Sequence, residues 1–103
     1  RAYFGGAMKE AEYQKRLIKK LKNIFPGCIV MKNDANYVQG IPDLIILYKS
    51  HWGFLEVKQA SDSSHRPNQD FYIQKASEWS YGAFVNPDNE KEILNDMERS
   101  FRS

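Results

Sequence analysis

The sequence predicts a small α/β sandwich whose elements run helix, three strands, helix, strand, helix. Three observations predict it. Apolar residues recur at helical spacing ahead of Pro26 and again after Pro67 and Pro87. Two short runs rich in β-branched and aromatic residues, Leu44–Tyr48 and Trp52–Leu55, flank the polar bend Lys49-Ser50-His51 and read as a hairpin. A further short apolar run, Ala83–Val85, follows a helical segment, so the chain must cross back to the sheet after leaving it.

The elements follow in order. Residues Arg1–Gly6 carry no structural weight and read as a lead-in, so the expected domain is 7–103. From Met8 to Phe25, Tyr13, Leu17, Leu21 and Ile24, with Ile18 beside them, form an inward stripe among Lys15, Arg16, Lys19, Lys20 and Lys22. Glu10 lies three and seven residues before Tyr13 and Leu17 and falls on that stripe, where it suits the positive end of the helix dipole. Glu12 groups with Arg16 and Lys19 and should face water, in an ion pair worth a few tenths of about 1 kcal/mol. Pro26-Gly27 ends the helix, and Cys28–Met31 reads as a buried strand. Lys32–Gln39 is a polar loop that leads into Gly40, a turn glycine or a position kept small for a ligand. After the hairpin, Gln59–Arg66 is a second polar loop. Pro67 opens a helix to about Ser80 whose buried face is Tyr72, Ile73, Ala76 and Trp79, with Gln69 one turn before Ile73. Asn86-Pro87 caps a last helix with Ile93, Leu94, Met97 and Phe101 on one side and its charges outward.

At 103 residues the chain is one domain with a modest core, and 42% hydrophobic with 14% aromatic content excludes a disordered chain. The net charge of +2 decides little about partners, but its distribution is uneven. Seven basic residues lie between Lys9 and Lys32 against Glu10 and Glu12, whereas acids outnumber bases after Pro87. A basic first half is compatible with a polyanion and equally with a solvated helix face. Cys28 is the single cysteine, so no intrachain disulfide forms, and with His51 and His65 it falls short of a zinc spacing. No apolar run approaches the roughly 18 residues that cross a bilayer, and the expected setting is intracellular, beside nucleoid or viral DNA.

The chemistry concentrates at one end of the hairpin. Asp43 opens its first strand beside Pro42; Glu56 and Lys58 close the second and share a face, with Val57 on the other. Antiparallel pairing brings Asp43 beside Glu56. Taken alone, Asp43 is a strand-entry turn residue and Glu56 with Lys58 a solvated pair. Together they converge, and two carboxylates about 4 Å apart repel by roughly 4 kcal/mol at an effective dielectric near 20. A divalent cation would reverse that sign. Magnesium prefers oxygen ligands and is held by one or two carboxylates with waters and a phosphate, which suits phosphodiester hydrolysis, with the Lys58 ammonium orienting the nucleophile or supporting the transition state. Around this end, Lys32, Asn33, His65 and Arg66 are candidate phosphate contacts, and Tyr37 either stacks on an unpaired base or packs down.

Pro42-Asp43, a hydrophobic strand and turn, then Glu56-Val57-Lys58 resembles the PD-(D/E)XK nuclease signature. The longer strings GIPDLIIL, FLEVK and RPNQDFY are most similar to the compact VRR-NUC branch, the virus-type replication-repair nucleases, over about Glu10 to Val85. The resemblance implies a restriction-endonuclease-like core with a mixed four-stranded sheet. It implies a metal held by Asp43, Glu56 and the Val57 carbonyl, with Glu10 completing the acidic cluster in a Glu10…Tyr13-Gln14 setting, Lys58 activating water and Gln69 supporting the site. Glu12 stays open as the alternative helix acid. The implied activity is a Mg²⁺-dependent, structure-selective DNA endonuclease, with Mn²⁺ able to substitute, most similar to a Holliday junction resolvase acting on branched DNA as a homodimer. A flap-processing or restriction-like nuclease, or a non-catalytic nucleic-acid-binding module, would use the same residues.

Overall fold

The structure, a computed structural model, describes residues 10–34 and 36–103. The lead-in and the expected helix start at Met8 lie outside the described residues. The elements are α1 (Glu10–Ile24), β1 (Ile29–Lys32), β2 (Leu44–Tyr48), β3 (His51–Val57), α2 (Pro67–Trp79), β4 (Tyr81–Val85) and α3 (Glu90–Arg102). The four strands form one open sheet in the order β1-β2-β3-β4. The first three strands pair antiparallel as a meander, and α2 carries the chain across to β4, which lies parallel to β3. The sheet is therefore mixed, and the molecule is α/β.

Alternation along the strands divides the sheet into two unlike faces. Leu44, Ile46 and Tyr48 of β2 and Leu55 and Val57 of β3 point to one face. There they meet Tyr13, Leu17, Leu21 and Phe25 from α1 and its end, and Leu94, Met97 and Phe101 from α3. Each fully buried Leu or Phe contributes about 1.5–3 kcal/mol, so this layer carries the fold. The opposite face is covered by α2 only over β3 and β4. At Gly82 a Cβ would stand 2.7 Å from Ala76 Cβ, which is how closely that helix lies on β4.

Several expectations require correction. Strand β1 is a sheet edge and mostly exposed, because α1 and α3 cover only one face and nothing among the described residues covers the other at β1. Cys28 is buried, but just ahead of the strand. The hairpin loop is two residues long: Lys49 takes a left-handed φ of 56°, as so tight a loop demands, and this draws His51 into β3 opposite Tyr48. Strand β4 starts at Tyr81, two residues early, because the parallel ladder extends to Gly53. In α2, Ile73 and Ala76 are buried, whereas Trp79 is exposed, on the side of the helix that borders Trp52 and Phe54 in an open groove. Asn86 does not cap α3. Its Oδ1 accepts from the Asp88 and Asn89 amides and forms a turn, so the helix begins at Glu90 with Asn89 as its cap. Not all charges of α3 face outward, because Glu90 is buried. Among the described residues no helix is long and apolar enough to cross a membrane.

Candidate active site

The hairpin brings Asp43 and Glu56 side by side through reciprocal hydrogen bonds. The Asp43 amide donates to Glu56 Oε1 at 3.1 Å, and the Val57 amide donates to Asp43 Oδ2 at 2.8 Å. Each carboxylate thus takes one backbone amide from the opposite strand, which locks the pair at the strand ends. A strand residue's N–H and C=O point the same way, so the Val57 carbonyl also faces this end. Lys58 projects onto the same face as Glu56, with Nζ 3.7 Å from Glu56 Oε2. Gln69, in the first turn of α2, bridges the set. Its Nε2 donates to Glu56 Oε2 at 2.9 Å, and its Oε1 accepts from Lys58 Nζ at 2.9 Å and from the Arg66 amide at 3.1 Å. One glutamine thereby ties the helix start, the ammonium and the acid together, a common way of holding reactive groups in place.

The cavity over these groups is about 380 Å³ and is lined by Asn36, Gln39, Gly40, Ile41, Asp43, Glu56, Arg66 and Gln69. Gly40 shapes its wall. The residue has φ +86°, and a Cβ there would sit 2.2 Å from Asn68 Cβ, so the loop closes directly on the start of α2. A turn requirement and a close approach together account for this glycine.

Burial is the largest influence on both acids. It pushes the Glu56 carboxyl up to about 7; the neighbouring Asp43 charge adds to the rise, Lys58 and the Asp43 amide oppose it, and Glu10 contributes a little more. Asp43 is raised by burial against the Val57 hydrogen bond and Lys58. Glu10 is raised by burial and then by the Asp43 charge, while Lys58 and the Gln14 side chain oppose. Glu10 therefore sits within electrostatic reach of the pair, at the start of α1, whereas Glu12 is exposed. Among the described residues no three His, Cys, Asp or Glu side chains close into a metal cage, so the donor set is the carboxylate pair, with Glu10 beside it. Two acids whose charged forms are both penalised by burial, and one of them also by its neighbour's charge, fit a divalent cation with oxygen preference, which would offset these penalties.

The candidate phosphate contacts divide into two groups. Arg66 lines the cavity, Lys32 is exposed at the end of β1, and Tyr37 is exposed on the loop before the site. Asn33 instead donates from Nδ2 to the Pro42 carbonyl at 2.8 Å and from its amide to the Asp43 carbonyl at 2.9 Å, so it holds the approach to Asp43. His65 stacks on Phe84 at 3.8 Å and pairs with Asp70 at 3.1 Å, which anchors the loop before α2.

Sequence reasoning missed Asn36 and Gln39 as lining residues. Their only signal was a place in the polar loop just upstream of Asp43. It also missed Glu90, although Glu90 lies four residues before Leu94 and seven before Met97, squarely on the buried stripe. Comparison with protein-family models, curated proteins and solved structures finds no significant match to this chain.

Proposed function

We propose that the protein is a magnesium-dependent, structure-selective DNA endonuclease with a restriction-endonuclease-like core, similar to the VRR-NUC branch and acting on branched DNA. The observation that carries this reading is the hydrogen-bonded set Asp43, Glu56, Lys58 and Gln69 at one end of the hairpin, of which Asp43, Glu56 and Gln69 line a polar cavity. Asp43, Glu56 and the Val57 carbonyl would hold the metal, with Glu10 adding negative charge nearby. Bound there, magnesium would lower the pKa of a water and offset charge on the scissile phosphate.

The chain's own groups supply the rest. Lys58 places a positive charge beside the acids, where negative charge grows in the transition state. Gln69 takes two hydrogen bonds on one oxygen and so aims the ammonium while steadying Glu56. Arg66 at the cavity wall, with Lys32 and Tyr37 on the approach, would contact backbone and unpaired bases. Such contacts read shape more than base edges. A homodimer suits a four-way junction, since a twofold protein matches a twofold substrate.

The test is cleavage of end-labelled DNA in Mg²⁺ on a four-way junction, a 5′ flap, a splayed arm, duplex and single strand, with EDTA and Asp43→Asn controls. Paired symmetric nicks in the junction are expected, absent with either control. Cleavage confined to flaps or ends would redirect the reading to a processing nuclease. Metal-independent binding without any product on the whole panel would leave a nucleic-acid-binding module.

A further inference from the structure

Two errors in the expected burial fall on the same surface. Ile29 and Met31 of β1 and Trp79 of α2 carry the pattern of buried residues, yet they are 57%, 45% and 71% exposed, and Phe71, two turns before Trp79 on the same helix, is 55% exposed. The register explains why they belong together. Met31 lies opposite Ile45, which lies opposite Phe54; Ile29 lies opposite Leu47, which lies opposite Trp52. Directly opposed residues share a face, so these six form two apolar rows across three strands on the face that α1 and α3 do not cover. Where α2 borders those rows, Trp52 and Phe54 with Phe71 and Trp79 line an apolar groove of about 350 Å³.

We propose that this face is the contact surface for a second copy of the chain, packed about a twofold axis. Four arguments select that occupant. Large side chains present roughly 150–250 Å² each, so the four named exposures leave on the order of 500 Å² of apolar surface in water. That is the upper range for any patch on a monomer, about 300–600 Å². The partly exposed Ile45, Leu47, Trp52 and Phe54 carry it toward the roughly 800 Å² per partner of a stable interface. The two rows also hold no charged residue, and Lys75 on the groove wall is paired with Glu78 at 3.9 Å. A twofold contact sets a surface against itself, so a charged face would repel its copy while an uncharged one does not. The face further carries both a groove and, at its border, the projecting Trp79 and Phe71. A twofold axis lets each copy's ridge enter the other's groove, and buried aromatics of this kind usually dominate such contacts. Finally, edge strand β1 lacks proline and has one lysine at its end, which is little protection for an edge left open in a monomer.

The inference gives a surface to the homodimer of the proposed function and rests on that part of the reading, but it uses none of the site residues. It is tested by sedimentation velocity of the full chain over roughly 1–100 μM, without metal or DNA. The expected mass is twice 12.0 kDa. The double variant Ile29→Glu with Trp79→Glu changes residues that are already exposed, so circular dichroism should match the parent. Its dimer should dissociate at least about 100-fold more readily, while Lys91→Glu on α3 should leave the mass unchanged. A parent that is monomeric at the highest concentration, or a dimer indifferent to the double variant, overturns the proposal. So does a monomer whose tryptophan fluorescence is quenched by oligo(dT) and loses the quench in Trp79→Glu, which would assign the face to unpaired bases. A monomer that still cuts DNA would sink this interface and the homodimer with it, and leave the cleavage chemistry standing. A dimer that never cuts would sink the nuclease reading alone.

Discussion

Among the described residues two glutamates are buried, and their surroundings differ in kind. Glu90, 9% exposed at the start of α3, accepts from the Tyr13 hydroxyl at 2.7 Å and pairs with Lys20. Burial and Glu90 together drive the Tyr13 phenol well above its ordinary range, so it stays a donor. The Tyr13 hydroxyl and the Lys20 ammonium both donate to the Glu90 carboxylate, and the result is a clasp between α1 and α3. Glu56, 5% exposed, also has donors, but the neighbouring charge that acts on it most strongly is another carboxylate, and its own carboxyl is pushed up to about 7. The difference teaches that burial of an acid marks nothing by itself. What distinguishes a site from a strut is an unresolved charge balance among partners held rigidly in place.

The largest way to widen that contrast is Asp43→Asn. The variant can keep the bond from the Val57 amide and donate to Glu56 instead of repelling it. Cleavage should fall by about 10³-fold or more in Mg²⁺, while the metal-free protein becomes more stable at pH 8 by roughly 1–2 kcal/mol, the usual trade between function and stability. Thermal melts and labelled-substrate kinetics on one preparation read both. A variant less stable than the parent would mean that the carboxylate pair is not a source of strain.

The same contrast appears in pH dependence. Glu56 has an ordinary value of 4.5 and is raised to about 7 in the fold. Between those values the folded state binds more protons than the unfolded one. Stability from this group is therefore fully present below about pH 4.5 and is lost as pH rises through about 7, with a full range of about 3 kcal/mol. Asp43 and Glu10 are raised as well and act in the same direction. Denaturation midpoints in EDTA should decline from pH 5 to 8. Mg²⁺ should restore more stability at pH 8 than at pH 5.5, since it binds the charged form. Equal Mg²⁺ stabilisation at both values would count against a carboxylate site.

Lys58→Ala should lower the cleavage rate by about 10²-fold, near 2.7 kcal/mol, by removing the positive charge beside the acids. Gln69→Ala keeps that charge but frees it, and about 10-fold is expected, with most of the loss in kcat. Near-normal rates for Lys58→Ala would remove it from the chemistry.

The sequence made the site more legible than the surface. Hairpin pairing needs only alternation and a short polar bend, so the meeting of Asp43 and Glu56 follows from local pattern, and Lys58 follows from period two. Gln69 was visible because helical period places it one turn before Ile73, facing the sheet. Burial of Trp79, Ile29 and Met31 was not legible, because apolar character reports what a residue suits and not whether another element reaches it. The first strand looks like core from its own composition; only the sheet order reveals it as an edge. Asn86-Pro87 misled for a different reason. Asparagine followed by proline serves a helix cap and a turn equally, and the choice was made three residues later, where Asn89 donates to the Phe84 carbonyl and accepts from the Asn86 amide.

The smallest expected effect lies at the other glutamate. Glu90→Ala removes the acceptor of the Tyr13 hydroxyl and the partner of Lys20 and should cost about 2 kcal/mol, shifting the melting temperature down by roughly 10 °C. Glu90→Gln retains an acceptor for Tyr13 and loses only attraction to Lys20, whose side chain is half exposed and well screened, so about 1 kcal/mol or less is expected. Neither change touches Asp43, Glu56 or Lys58. Cleavage measured well below the melting temperature should therefore match the parent, and stability should fall where Asp43→Asn raises it. A Glu90→Gln variant that stayed folded yet lost cleavage would join the two acids into one system. The α1–α3 clasp would then be holding Glu10, at the head of α1, in its place beside the carboxylate pair.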